Sequence, residues 1–523
     1  MSTLFFRSRL SPLYLIASSL FLCASVFVWS GCDRTETVFV ERPFYDSPPA
    51  AAVGFLGYDD QDVGLTVCGN CHVGQQAAWE GTAHAAAWEG LQASGHAQAF
   101  CENCHTAGPL GNPLTEAVGF AGTGDSRYHD VQCESCHGAG QQHVTNPDAS
   151  QPIAAIGIGD LSDLANATSC AECHQGSHHP FAEEWAQSGH ASVVGFAAAR
   201  PECESCHRGQ GALKSWGVKA EYAEKNSVDH LPITCAVCHD PHDATNEGQL
   251  RFPVESVSLE ENLCAQCHNR RTVPDPSSSH GLAPHAPQAA LLIGEGGWFP
   301  PGVQIEQGQI VASHGSVANR RLCASCHVSQ FEVTDEVTGD FVFQATGHLF
   351  TAMPCVGPDG IPVTGDCELA EEARAYSGCA TAGCHLTTTA AASAMIASST
   401  SIEDRANELL AVLELVDPGL DESGGEIDAG DPTFTTAEGA FFNYNLATFG
   451  DDVYGSTAHN PFLTEALLIA SIQVVEDTYG VSAASGIDYD VEMERILNAA
   501  PKDVIAIPQR TGEIRVQPIS SRR

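Results

Sequence analysis

The spacing Cys-x-x-Cys-His occurs eight times in this chain. The copies are Cys68, Cys71 and His72; Cys101, Cys104 and His105; Cys133, Cys136 and His137; and Cys170, Cys173 and His174. Further along come Cys203, Cys206 and His207; Cys235, Cys238 and His239; Cys264, Cys267 and His268; and Cys323, Cys326 and His327. Two thiols on one short turn reach the two vinyl groups of a single haem and form thioethers. The adjoining histidine is then held over one face of the ring, where its imidazole binds iron. Disulfide frameworks and zinc ribbons also use paired cysteines, but neither requires a histidine after every second one. The repeats therefore point to covalently bound haem c.

A ninth candidate, Cys379-Ala-Thr-Ala-Gly-Cys384-His385, has the longer spacer of a known attachment variant; its alternative is a Cys379–Cys384 or mixed disulfide. Cys355 and Cys367 flank a loop rich in Gly, Pro and Asp and are expected to close it as a disulfide.

Each iron has a second axial position. Beyond Met1 the chain has only Met353, Met395 and Met493, whereas 23 histidines leave fourteen after nine proximal ones. Histidine is thus the expected second ligand at most sites, an arrangement that favours low-potential electron transfer over substrate binding. His84 in Trp79-Glu-Gly-Thr-Ala-His84-Ala and His190 in Trp185-Ala-Gln-Ser-Gly-His190-Ala share a segment that reads as an internal repeat. His143 and His242 each closely follow an attachment motif. His348 follows an apparent hairpin over Phe331–Gln344 that turns at Thr338-Gly339-Asp340. His459 opens His459-Asn460-Pro461 before an apolar helix. These six are the preferred second ligands. His96, His129, His178, His179, His230, His280, His285 and His314 form a second tier, of which some must be spare.

Roughly forty residues per haem between positions 61 and 390 cannot build a separate core of ordinary size, so the haems must be the core, with short helices and loops around them. From 391 to 523 the pattern changes. Ile402–Val416 and Phe462–Val475 have helical periodicity, Asn460 and Pro461 suit the start of the second helix, and Asp417–Pro432 reads as a loop. This region is expected to pack back on the haem-bearing one and deliver His459, the alternative being an independent helical domain. Residues from Pro508 read as strand-like or disordered.

Arg7 and Arg9, an apolar stretch from Leu10 to Trp29 and then Ser30-Gly31-Cys32 make 1–31 an export signal. The Gly-Cys step resembles a lipobox, which would make Cys32 a lipid anchor on a membrane. Trp29 departs from the aliphatic residue usual there, and ordinary cleavage or an uncleaved anchor are the alternatives. Residues 32–60 read as a linker. The expected place is the periplasm or the outer-membrane surface. A net charge of −42 repels nucleic-acid phosphates and suits basic partners.

Several segments together resemble one superfamily: the Trp-x4-His-Ala repeats, the run Val131 to His143, Cys238-His239-Asp-Pro-His242, and His459-Asn-Pro. It is the multihaem cytochromes c related to pentahaem nitrite reductases and octahaem hydroxylamine oxidoreductases, including their electron-carrier branch. The resemblance spans Val67 to Tyr479. It implies a mainly α, loop-rich fold with haems in parallel and perpendicular pairs, and redox partners such as a quinol dehydrogenase or other cytochromes. The nitrite reductases carry lysine in place of the proximal histidine at the active haem, whereas all nine motifs here end in histidine. The runner-up function, a multihaem oxidoreductase acting on a small nitrogen or sulfur compound, needs a haem with one face open.

Overall fold

In the computed structural model the described residues are 54–108, 118–148, 151–159, 168–255, 258–277, 282–303, 305–381, 384–420, 427, 433–450, 452–482 and 486–502. All fall in one unit, Pro48–Arg523. The export signal, Cys32, most of the linker, His280 and the last residues lie outside them, as does most of the expected loop 417–432.

From Val73 to His327 the described helices are short, none exceeding seven residues. Isolated helices of that length are unstable in water, so these must be held by what they pack on. The sheets are three two-stranded antiparallel pairs: β1 (Tyr58–Asp60) with β2 (Leu65–Thr66), β3 (Phe331–Thr334) with β4 (Phe341–Ala345), and β5 (Cys355–Val356) with β6 (Pro362–Val363). The hairpin expected over 331–344 is β3 and β4, one residue longer because Phe331 pairs with Ala345. Gly339 takes φ of 74° in its turn, a conformation glycine adopts without strain. Cys355 and Cys367 are joined by a disulfide.

Among the described residues five helices follow: Thr388–Val416, Thr436–Ala447, Tyr454–His459, Pro461–Tyr479 and Tyr489–Ala499. The first starts fourteen residues before the periodic stretch at Ile402. Thr387 caps it by accepting from Ala390 N–H, and an alanine-rich run with high helix propensity carries it to Ile402. The 436–447 helix, absent from the sequence reading, is signalled by a capping box formed by Thr435 and Glu438. Ile402, Leu409, Leu413, Phe441, Leu468 and Ile472 form its shared core with the neighbouring helices. A second cluster joins Leu463, Leu467 and Ile469 to Leu291, Ile305 and Ile310, so the helical region is anchored on the segment between the seventh and eighth motifs. No helix among the described residues is long and apolar enough to cross a membrane. The fold is mainly α and loop-rich.

Candidate functional site

Each of the eight short motifs coincides with a turn of helix. Cys68–Asn70, Cys101–Asn103, Ser169–Glu172 and Cys264–Gln266 are 3-10 turns; Cys133–His137, Glu204–His207, Cys235–Cys238 and Cys323–His327 are α-helical. Positions i, i+3 and i+4 of a helical turn share one face, which points both thiols and the imidazole the same way. The histidine N–H closes the turn on the first cysteine carbonyl, at 2.9 Å for His72 and His239 and 3.0 Å for His174 and His268. In the ninth motif His385 N–H still donates to Cys379 O at 3.1 Å, so the longer spacer keeps the same closure. None of the eighteen motif cysteines is in a disulfide.

Numbered in chain order as sites 1 to 9, eight proximal histidines lie opposite a second imidazole. Ring centroids are 6.2 Å apart for His72 and His143, 6.1 Å for His137 and His242, 6.1 Å for His174 and His84, and 5.9 Å for His207 and His285. They are 6.4 Å apart for His239 and His348, 6.1 Å for His268 and His190, 6.2 Å for His327 and His459, and 6.2 Å for His385 and His314. Two metal–imidazole bonds of about 2.0–2.1 Å, with roughly 1.1 Å from nitrogen to ring centre on each side, require about 6.3 Å. The residues therefore fit an iron held between paired imidazoles. Among the described residues, no group of three or more His, Cys, Asp or Glu is arranged to hold a bare ion.

The other ring nitrogen is tied to the backbone, which fixes the tautomer and aims Nε2. His105 Nδ1 pairs with Ala87 O at 2.8 Å, His137 with Pro152 O at 3.2 Å, His314 with Ala458 O at 2.7 Å and His327 with Phe350 O at 2.8 Å. Burial pushes the imidazoles of His174, His190 and His348 down to about 4 and that of His459 to about 3, which keeps them in the neutral form that binds metal.

The Trp-x4-His repeat has one tertiary meaning in both copies. Trp79 Nε1–H donates to Val131 O at 3.0 Å, and Val131 N–H donates to His84 O at 3.1 Å. Trp185 Nε1–H donates to Ile233 O at 2.8 Å, and Ile233 N–H donates to His190 O at 3.1 Å. Each copy docks two residues before an attachment motif (sites 3 and 6) and presents its histidine to the next one (sites 4 and 7). His459 ends its helix just before Asn460, which caps the 461–479 helix by accepting from Leu463 N–H and also donates to Leu291 O and Ile310 O. All six preferred second histidines lie opposite a proximal one. His285 and His314, ranked lower in the sequence because no motif surrounds them, do so too.

Site 2 differs. Among the described residues no ring opposes His105. Burial, and then the nearby imidazoles of His105 and His178, lower the His179 pKa, which puts His179 within electrostatic reach of His105. His178 stacks on Phe341 at 4.4 Å and His129 on Trp88 at 3.9 Å, which makes both packing groups. His96 is exposed, and His230 Nδ1 is buried with no hydrogen-bond partner.

Neighbouring sites meet through their cysteines. The cysteines of neighbouring sites lie within electrostatic reach of one another: Cys68 of Cys133 (sites 1 and 3), Cys104 of Cys173 (2 and 4), Cys136 of Cys170 (3 and 4), Cys170 of Cys235 (4 and 6), Cys206 of Cys267 (5 and 7), Cys238 of Cys264 (6 and 7), Cys264 of Cys323 (7 and 8), and Cys326 of Cys379 and Cys384 (8 and 9). The order of adjacency is 1–3–4–6–7–8–9, with site 2 beside 4 and site 5 beside 7.

Attachment turns with opposed imidazoles define a c-type haem protein. A family model for the doubled CXXCH motif matches residues 231–272, and one for cytochrome c554 and c-prime matches 67–138. Over these residues the chain resembles multihaem cytochromes c. The crystal structure of Outer Cell Wall Cytochrome OcwA shares the fold with a TM-score of 0.50 at 16% identity, covering 81% of this chain and 100% of that one. No curated protein sequence matches.

Proposed function

We propose that this is an exported electron carrier binding nine haems, with a line of seven sites (1, 3, 4, 6, 7, 8, 9) and side branches at 2 and 5. The observation that carries the reading is that eight proximal histidines each face a second imidazole at 5.9–6.4 Å, in sites whose cysteines lie within reach of one another in series from site 1 to site 9. The adjacency of sites 4 and 6, and of 6 and 7, which carries the middle of the line, has independent geometric support. The Phe181 ring lies 5.5 Å from His174 and 4.8 Å from His348, and the Phe350 ring 5.4 Å from His348 and 4.5 Å from His190. When bound, the haems supply one-electron redox chemistry. The protein's own residues set the distances, close both axial positions at eight sites, and keep the ligating imidazoles neutral and aimed. A histidine on each side favours low potentials.

Arg7, Arg9, the apolar 10–29 stretch and Cys32 support export with a lipid anchor, and the cell-wall neighbour supports a surface location. With 65 acidic against 23 basic residues, the chain suits a basic docking face on a quinol dehydrogenase or another cytochrome. Intact-mass analysis of the matured protein tests this: nine haems and a lipidated Cys32 are expected. Eight haems with unmodified Cys379 and Cys384 would remove site 9, and unmodified cysteines at any of sites 1, 3, 4, 6, 7 or 8 would break the line.

Site 2 supports a second reading, an oxidoreductase acting on a small nitrogen or sulfur compound where no imidazole opposes His105. Electron paramagnetic resonance separates the two. One high-spin haem that binds nitrite or hydroxylamine favours the enzyme; exclusively low-spin iron removes it and makes His179 the ninth second ligand.

A further inference from the structure

Glu184 is 2% exposed, and its carboxylate collects three hydrogen bonds from one short segment. Oε1 accepts from Thr346 N–H at 2.8 Å. Oε2 accepts from Thr346 Oγ1–H at 2.6 Å and from His348 N–H at 2.6 Å. The Thr346 hydroxyl, its proton committed to the carboxylate, stands 3.2 Å from His348 Nδ1. With Nε2 of His348 directed to His239, Nδ1 must carry the ring proton, which it shares between that hydroxyl and the Thr346 carbonyl oxygen at 3.3 Å. A chain therefore runs from imidazole to hydroxyl to buried carboxylate. His105, His137, His314 and His327 direct Nδ1 to a backbone carbonyl without a hydroxyl beside it. The segment is locked in place. Gly347 between Thr346 and His348 has φ of 79°, and a Cβ there would lie 2.5 Å from the Val328 carbonyl carbon. Glu184 precedes Trp185 of the internal repeat, and the corresponding position before Trp79 is Ala78, so the first copy has no such carboxylate.

We propose that Glu184, acting through Thr346, is a positioning residue that orients His348 and holds site 6 at a lower reduction potential than it would otherwise have. A negative charge at the end of the hydrogen-bond chain makes the imidazole more basic, and a more basic ligand favours the oxidised metal. A buried carboxylate is weakly screened, so its field adds in the same direction. Site 6 lies mid-line, between sites 4 and 7, where a low potential places a step in the path.

The inference rests on His239 and His348 being the ligands of site 6, and the experiment separates the two. In the full-length, haem-loaded protein, H348A should convert one low-spin haem to high-spin by electron paramagnetic resonance; if no haem changes, the ligand reading fails. E184Q and T346V should then shift that same component in a spectroelectrochemical titration, each favouring reduction by about tenfold, which is about 59 mV for one electron. T346S, which keeps the hydroxyl, should leave it in place. If E184Q fails to load haem, T346V carries the test, since it removes the hydroxyl and keeps both backbone bonds to Glu184. Loss of the component in H348A with no shift in T346V, or an equal shift in T346S, overturns the proposal.

Discussion

From Thr388 to Ala499 the chain builds helices of up to 29 residues around one continuous apolar cluster of fifteen buried residues, including Leu409, Leu413 and Leu468. Between Phe55 and Val237 the side-chain clusters hold three to six buried residues, and no described helix passes seven. The first region has the core that an ordinary protein of its size needs. The second has, in its place, turns that each present two thiols and an imidazole on one face. What differs is the source of burial: side chains in one, and in the other the apolar rings that the motifs exist to hold.

The largest test of that difference is to withhold haem. Expressed without haem attachment, the full chain should lose amide protection across 54–255 and keep it in the 388–416 and 461–479 helices by hydrogen exchange. Retained protection around sites 1 to 6 would remove the contrast. H459A touches the seam, because His459 belongs to the helical region and opposes His327 of site 8. One haem in nine should become high-spin, with far-ultraviolet circular dichroism nearly unchanged. L409A acts inside the helical core, where Leu409 is fully buried. It should cost about 2–5 kcal/mol in urea unfolding followed by circular dichroism, while the Soret transition stays put. N460A, removing the cap of the 461–479 helix, should cost about 0.5–2 kcal/mol by the same measurement. A Soret transition that moved with either core substitution would mean the two regions unfold as one.

Much of this architecture was readable from local signals. A Cys-x-x-Cys-His motif lies within one helical turn, so its geometry is settled by spacing alone. Asn460 and Pro461 mark a helix start by their own chemistry, and the hairpin at Phe331 is announced by its Thr-Gly-Asp turn. The longer reach of the 388–416 helix was hidden because alanine, threonine and serine carry little hydrophobic periodicity. The weight of His285 and His314 was hidden for another reason: neither stands in a motif, and each meets a partner far along the chain.

The sequence by itself determined which turns pair two thiols with an adjoining histidine and that a helical region follows, because each rests on residues a few positions apart. Only the tertiary structure decided which distant imidazole opposes which, that His105 stands without an opposed ring among the described residues, and that sites 3 and 4, not 1 and 2, are neighbours along the line. Those facts depend on how turns separated by tens of residues pack together, and chain connectivity places no direct constraint on that.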